Sequence, residues 1–207
     1  MKQKFNNSYW DNLAFIYDFF HTTEKKSYLE VSRKIIKSIK ENDTILELAC
    51  GTGIFSELIN KNCSFPINYI ATDISPKMID VCHSKNIPNI KFEMADATNL
   101  QFADNTFNCV IIANALHHIN KPEKTFSEID RVLKDDGLLF APNFLASSTF
   151  IEQIALYTAK YLGRKNVNDF DLEGYLSLFE NNGFNIIEHD THMRLRKMAY
   201  VFCKKAK

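Results

Sequence analysis

The most restrictive feature of this sequence is a short apolar segment that leads through a glycine turn into a helix. Residues 44–48 are mostly apolar, Gly51 and Gly53 follow, and apolar positions at helical spacing resume at Ile54. This order is typical of a strand, a tight turn and an amphipathic helix. The same unit then recurs, which predicts a sheet built from alternating strands and helices.

The pattern predicts five strands in the first 145 residues, at 44–48, 68–72, 90–94, 107–113 and 138–144. The segment 107–113 is nearly unbroken in its apolar character, as expected for a central strand of a parallel sheet. Amphipathic helices are predicted over Ser27–Lys40, after Gly53, from Pro76 with Ser75 as N-cap, and from Pro122 to Leu133 with Gly137 just past the end.

The last third of the chain predicts a helix over 148–162, a polar stretch over 163–171 and a helix that ends at Gly183. Strands follow at 184–188 and 198–203, and since no helix separates them they should form an antiparallel hairpin. The predicted fold class is α/β: a Rossmann-like, doubly wound, mostly parallel seven-stranded sheet with an antiparallel C-terminal hairpin and helices on both faces.

Length and charge narrow the possible functions. The 207 residues suit a single domain, here divided into a cap or lid segment over 1–26, a core over 27–145 and a C-terminal part over 146–207. Basic and acidic residues number 25 each, so no net field attracts nucleic acid or a membrane surface. The five cysteines form no C-x-x-C pair, and no apolar run could span a bilayer, which favours a cytoplasmic protein with reduced thiols.

In an open α/β sheet, ligands bind beyond the carboxyl ends of the strands, so the glycine turn at 47–53 is a candidate site. It is equally a plain strand-to-helix turn when taken alone. Asp73 ends the second strand, where a carboxylate could bind ribose hydroxyls of a nicotinamide or another adenosyl cofactor. Ser56 replaces the third glycine of a dinucleotide fingerprint, and Glu47 would repel a pyrophosphate but attract an ammonium group, as in S-adenosylmethionine.

Five blocks in order resemble the class I S-adenosylmethionine-dependent methyltransferases, over roughly residues 40–145. The similarity is greatest to the small-molecule branch that includes ubiquinone/menaquinone-type methyltransferases. The blocks are 47–53, Asp73 with the residues before it, Asp96–Ala97, 110–118 and 133–137. Two positions depart from the family pattern: Glu47 replaces the commoner aspartate, and Asp135–Gly137 replaces a Pro-Gly-Gly turn.

The resemblance implies a role for each matched residue in binding S-adenosylmethionine. Around the methionine portion it places Ala49, Cys50, Gly51, Thr52 and Gly53, with Asn114 facing the amino acid part. It places Asp73 on the ribose, Ile74 and Met78 against the adenine, and Asp96 with Ala97 at the adenine's amino edge. Each has an alternative: Asp73 as a helix cap, Asp96 as a turn residue, Met78 as helix core.

Methyl transfer from a sulfonium needs few catalytic groups, and His117 and His118 are the candidates for a general base. The alternative is that one histidine packs into the sheet edge and the other is solvated. The aromatic segment 5–20 could form a lid, with Tyr17 facing the sulfonium, or a helix packed on the sheet. The predicted helix at 148–162 could wall a pocket for an apolar or aromatic acceptor, and no metal is expected.

Two other functions stay open from the sequence. One is a protein that binds S-adenosylmethionine or S-adenosylhomocysteine without catalysis, because class I chemistry requires no particular catalytic residue. The other is a nicotinamide-dependent enzyme.

Overall fold

The computed structural model describes residues 8–14, 25–145, 170–193 and 197–206. Within these ranges the chain forms a single mixed sheet with α-helices between the strands. The strands are β1 (Thr44–Leu48), β2 (Asn68–Asp73), β3 (Ile90–Met94), β4 (Phe107–Ile112), β5 (Leu133–Phe144), β6 (Phe184–Met193) and β7 (Lys197–Lys205). The described α-helices are α1 (Ser8–Leu13), α2 (Lys25–Ser38), α3 (Ile54–Asn62), α4 (Pro76–Ser84), α5 (Pro122–Val132) and α6 (Leu172–Glu180).

The strand order is β3-β2-β1-β4-β5-β7-β6. The first five strands are parallel, whereas β7 is antiparallel to both β5 and β6. The predicted doubly wound sheet with an antiparallel C-terminal hairpin is therefore confirmed. Chain order reverses between β1 and β4, which is the crevice where ligands of such sheets bind.

Two apolar clusters bury the sheet's faces, one including α2, α3 and α4 and the other including α5 and α6. The central strand β4 contributes to both, because Cys109 and Ile111 belong to one cluster and Val110 and Ile112 to the other. All four of these side chains are almost fully buried. This explains the unbroken apolar run at 107–113, since alternate residues of a strand face opposite sides of the sheet.

The N-caps of two helices follow directly from the sequence. Ser75 accepts a hydrogen bond from the backbone N–H of Met78, and Pro76 opens α4. Asp171 accepts from the backbone N–H of Gly174 at the start of α6. The predicted cap at Ser75 is confirmed, and both caps fix where these helices begin.

The predicted position of Gly137 just past the end of a helix is wrong. Helix α5 ends at Val132, and Leu133 already adopts an extended conformation and pairs with Phe107 of β4. Because buried Leu133 belongs to the sheet, Gly137 lies inside β5, which begins five residues earlier than predicted.

The boundaries of the last elements also differ from the predicted ones. Helix α6 ends at Glu180, and Gly183 lies in the turn after it with φ of 82°. Strand β6 extends to Met193 because it pairs with β7 along its length, with a bulge between Ile186 and Glu188. The helix predicted at 148–162 and most of segment 1–26 lie outside the described residues.

Candidate cofactor site

A cleft opens beyond the carboxyl ends of β1, β2 and β4, where chain order reverses in the sheet. Its empty volume is about 830 Å³, including the part open to solvent. The elements around it are α1, α2, the glycine turn, the start of α4 and the loop after β4. The described residues that line it are Trp10, Tyr28, Glu47, Ala49, Cys50, Gly51, Ile54, Phe55, Asp73, Ile74, Met78, Ala113, Asn114, Ala115, His118 and Ile119.

The glycine turn after β1 adopts a left-handed backbone at three positions, with φ of 52° at Ala49, 55° at Gly51 and 76° at Gly53. Glycine adopts this conformation without steric cost, whereas alanine does not. Gly53 is the N-cap of α3, and a Cβ atom there would lie 3.1 Å from the Phe92 ring. The turn therefore requires glycine at 53 for both conformation and space.

Asp73 ties the end of β2 to the glycine turn. One carboxylate oxygen accepts a hydrogen bond from the backbone N–H of Gly51 at 2.8 Å, and the other accepts from the N–H of Ser75 at 2.8 Å. The side chain is 8% exposed, and burial raises its pKa, against the opposing effect of these backbone donors. Asp73 thus orients the glycine turn beside the cleft. Its own side chain also lines the cleft.

Glu47 is the second carboxylate of the cleft, although it lies within β1 and is 1% exposed. Its Oε2 accepts hydrogen bonds from the hydroxyl groups of Ser56 and Tyr69, the latter at 2.7 Å. The pKa of Glu47 is raised to about 7, mainly by burial and also by the nearby charge of Asp73, while the two hydroxyl donors oppose the rise. A cation at this position would relieve the cost of the buried charge.

The loop after β4 brings Asn114 and His118 to the cleft. Asn114 has φ of 51°, its backbone N–H donates to the carbonyl of Pro142 at 2.7 Å, and His118 ends a short 3₁₀ helix over Leu116–His118. His117 is 8% exposed and does not line the cleft, and its Nδ1 lies 2.9 Å from Oδ1 of Asn143. The two adjacent histidines therefore have different surroundings.

Helix α1 approaches the cleft from the N-terminal segment. The Trp10 ring packs edge-on against His118, with ring centroids 4.6 Å apart, and the Ser75 hydroxyl donates to a carboxylate oxygen of Asp11 at 2.5 Å. This part of segment 5–20 thus lies at the cleft, as a lid would. Tyr17 is outside the described residues, so its role stays a prediction.

Nine of the predicted site residues line the cleft: Glu47, Ala49, Cys50, Gly51, Asp73, Ile74, Met78, Asn114 and His118. Thr52, Gly53, His117, Asp96 and Ala97 are not among its lining residues. The Asp96 side chain accepts from both the backbone N–H and the hydroxyl of Thr98 at 2.8 Å, which is the local role of a turn aspartate. Its predicted position at the adenine stays a prediction.

The sequence interpretation missed several apolar residues of the cleft wall. Ile54 and Phe55 form the first turn of α3, and their place directly after the glycine turn was a usable signal. Tyr28 on α2 gave no such signal, because its ring reaches the cleft only through the packing of α2 against the sheet. The remaining missed residues are Ala113, Ala115 and Ile119, whereas Trp10 belongs to the aromatic segment 5–20 that was considered as a lid.

The charges of the cleft restrict its ligand. Glu47 and Asp73 are its acidic side chains, and its described lining contains no lysine or arginine. A pyrophosphate would meet two carboxylates and neither lysine nor arginine, whereas a ligand with a positive charge and no phosphate would be attracted. The acidic lining therefore fits S-adenosylmethionine better than a dinucleotide.

Comparison with known proteins identifies the family. Residues 46–141 match the family model described as a methyltransferase domain. The chain carries a class I S-adenosylmethionine-dependent methyltransferase domain. The ubiquinone/menaquinone biosynthesis C-methyltransferase UbiE of Citrobacter koseri is 30% identical over 151 residues, which are 67% of this chain and 59% of that protein. The demethylmenaquinone methyltransferase of Renibacterium salmoninarum is 37% identical over 120 residues, which are 58% and 48% of the two chains.

The chain spans about half the length of the curated relatives that it matches. Among solved structures, an S-adenosylmethionine-dependent methyltransferase from Thermotoga maritima superposes with a TM-score of 0.73 at 17% identity, covering 96% of this chain and 99% of that one. This likeness supports the methyltransferase fold over nearly the whole length. Within the described ranges, no helix of the chain is both long and apolar enough to cross a membrane.

Proposed function

We propose that this chain binds S-adenosylmethionine in the cleft and transfers its methyl group to a small-molecule acceptor. The observation that carries this proposal is the pairing of two buried carboxylates with a glycine turn in a cleft whose described lining has no lysine or arginine. The matched methyltransferase family supports the same assignment. The free thiols of all five cysteines suit a reducing compartment, so we infer a cytoplasmic location.

The cofactor's parts can be assigned to the residues around the cleft. Glu47 would attract the ammonium group, and Asp73 would accept hydrogen bonds from the ribose hydroxyls with the lone pairs not used by Gly51 and Ser75. Ile74 and Met78 would pack against the adenine. Asn114 would contact the amino acid part, and Asp96 with Ala97 would reach the amino edge of the base.

The bound cofactor would supply a methyl group on a positively charged sulfur, which is an electrophile that needs no further activation. The acceptor's nucleophilic atom would form a bond to the methyl carbon as the carbon–sulfur bond breaks. The electron pair of the broken bond would remain on sulfur. Of the two candidate histidines, His118 lines the cleft and His117 does not. We therefore assign to His118 the role of general base, which takes the proton that the methyl acceptor loses.

The walls of the cleft favour an apolar or aromatic acceptor. Trp10, Tyr28 and Phe55 present aromatic rings to it, and such surfaces bind flat apolar ligands. Two of the relatives are named for ubiquinone, menaquinone or demethylmenaquinone. Reduced demethylmenaquinone is therefore the first acceptor that we would test.

Calorimetry with S-adenosylhomocysteine tests the binding half of the proposal. We expect Asp73→Asn to weaken binding by at least about tenfold, since loss of a hydrogen bond to a charged group costs about 1.5–3 kcal/mol. Asp135→Asn is the matched control, because the same change at an almost fully exposed site should leave affinity unchanged. Equal affinity of the wild type and Asp73→Asn, or tighter binding of NAD than of S-adenosylhomocysteine, would contradict the proposal.

Catalysis needs its own test, because a fold does not determine a reaction. One solved structure of this fold, with a TM-score of 0.67 at 14% identity, covering 86% of this chain and 80% of that one, is named as the [4+2]-cyclase SpnF. Transfer of label from methyl-labelled S-adenosylmethionine to reduced demethylmenaquinone, or to another apolar acceptor, would establish methyl transfer. Tight binding without transfer to any member of an acceptor panel would instead favour a protein that binds the cofactor without catalysis.

A further inference from the structure

The loop that lines the cleft after β4 is fastened to the end of β5 by three contacts. The backbone N–H of Asn114 donates to the carbonyl of Pro142, and the Asn114 side-chain oxygen lies 3.4 Å from the backbone N of Phe144. The third contact joins His117 Nδ1 to Asn143 Oδ1 at 2.9 Å. The end of β5 therefore sets the position of the loop that presents His118 to the cleft.

The orientation of the Asn143 amide determines the direction of the third hydrogen bond. Asn143 is 1% exposed, and its Nδ2 donates to the carbonyl oxygen of Phe144 at 2.8 Å. Its Oδ1 therefore faces His117, and because an amide oxygen can only accept, Nδ1 of His117 must carry the hydrogen. A neutral His117 is then the Nδ1–H tautomer, whereas a neutral histidine in water favours hydrogen on Nε2.

The His117 ring packs against the ring of His118. The centroids of the two imidazole rings lie 3.8 Å apart at an interplanar angle of 47°, and the Trp10 ring packs against His118 edge-on at 4.6 Å. His118 thus lies between a buried, anchored ring and a ring of helix α1. A change in the orientation of His117 would be transmitted directly to His118.

We propose that Asn143 is a positioning residue that holds His117 as the Nδ1–H tautomer and so fixes the orientation of His118 at the cleft. The inference rests on the proposed role of His118 as proton acceptor. It adds that a series of contacts holds His118 in place: Phe144 contacts Asn143, Asn143 contacts His117, and His117 packs against His118. This arrangement follows the general pattern in which a third group orients a catalytic base. A proton taken from the acceptor would reside on His118, whose ring is held in place by the anchored His117 ring.

Nitrogen NMR of the histidine rings in the full chain tests the tautomer directly. In the wild type at a pH where His117 is neutral, we expect a protonated Nδ1 and an unprotonated Nε2 for His117. Asn143→Asp loses the donor to Phe144 but keeps an oxygen acceptor for Nδ1–H, so a neutral His117 should keep this tautomer, whereas the similarly sized Asn143→Leu should shift His117 toward the Nε2–H form. The His118 ring-proton signals should move in Asn143→Leu and stay near their wild-type positions in Asn143→Asp.

His83 provides an internal control in every sample. Its Nε2 lies 3.2 Å from the carbonyl oxygen of Phe92, so a neutral His83 carries its hydrogen on Nε2, the opposite tautomer to that proposed for His117. Unchanged His83 signals show that a variant has kept its fold. If Asn143→Leu does not fold, the wild type and Asn143→Asp still decide the tautomer.

Two results would overturn the proposal: an Nε2–H tautomer of His117 in the wild type, or an Nδ1–H tautomer that persists in folded Asn143→Leu. Calorimetry of the wild type with S-adenosylhomocysteine is run on the same preparation. Absence of binding there would contradict the proposed function and leave the tautomer result standing, so the two failures can be distinguished.

Discussion

Replacement of Glu47 by glutamine should make the protein more stable at neutral and alkaline pH. Glutamine has nearly the same shape as a protonated glutamic acid, and its side-chain oxygen can accept the hydrogen bonds of Ser56 and Tyr69. The wild-type carboxyl group, in contrast, must ionise in a buried site beside Asp73 as the pH rises. The substitution removes this cost.

The magnitude follows from the pKa of Glu47, which is raised from its ordinary value of 4.5 to about 7. At about 1.4 kcal/mol per pKa unit, this difference is equivalent to about 3 kcal/mol. Because the folded state holds the proton more tightly than the unfolded state, the stabilisation is fully present below pH 4.5 and is lost as the pH rises through about 7.

The assay is urea unfolding of the wild type and Glu47→Gln at pH 5, 6, 7 and 8. The difference between the two proteins isolates Glu47, since all other ionisable groups are shared. We expect the variant's advantage to increase from about 1 kcal/mol at pH 5 to about 3 kcal/mol at pH 8. A difference that does not vary with pH would refute the reasoning.

Tyr69→Phe is the matched control for this experiment. The Tyr69 hydroxyl donates to Glu47 and lowers the carboxyl's pKa, so its removal should raise that pKa and extend the loss of stability to higher pH.

Glu47→Gln should also weaken binding of S-adenosylmethionine if Glu47 attracts the ammonium group. A variant that is both more stable and a poorer binder would show that the carboxylate serves the site rather than the fold.

Three further substitutions test other parts of the structure by urea unfolding at constant pH. Gly53→Ala should destabilise the protein by about 1–2 kcal/mol, because alanine is strained at φ of 76° and its Cβ would contact Phe92; a neutral effect would contradict the assigned turn. Arg131→Met should cost about 1–3 kcal/mol while leaving S-adenosylhomocysteine affinity unchanged, since its guanidinium donates to two loop carbonyls and two carboxylates away from the cleft. Tyr175→Phe should cost about 1 kcal/mol, because the buried hydroxyl donates to the Ala141 carbonyl at 3.0 Å, and unchanged stability would exclude a contribution from that bond.

The positions of the strands and of most described helices could be predicted because they depend on local patterns. The apolar run at 107–113 indicated a central strand, and the Ser75–Pro76 pair marked the start of α4. Errors arose where tertiary pairing decided the outcome. Gly137 resembled a helix end, but the pairing of Leu133 with Phe107 extends the sheet directly from the helix.

The site was predictable to the extent that its residues lie at strand ends. Glu47 lies near the end of β1, Asp73 ends β2 and Asn114 follows β4. Because these parallel strands end at the same edge of the sheet, the three residues line one cleft. Which of His117 and His118 is buried could not be predicted, because adjacent residues in a sequence give no indication of which ring a neighbouring strand will bury. That distinction depends on Asn143, which lies in a strand and has no sequence mark of its role.

Ala49 has a backbone conformation that alanine rarely adopts, with φ of 52°. Among the described residues with positive φ, those that are not glycine are asparagines except for Ala49, and asparagine tolerates this conformation far better than alanine does. The backbone N–H of Cys50 donates to the Thr72 carbonyl and that of Gly51 to Asp73, so the turn is drawn toward β2 immediately after Ala49. These bonds hold a strained residue at the wall of the cleft. Such strain persists only where surrounding contacts impose it, and it concentrates at sites of function. The strained turn, the buried carboxylates and the reversal of chain order therefore coincide at one edge of the sheet, the edge at which we propose that the ligand binds.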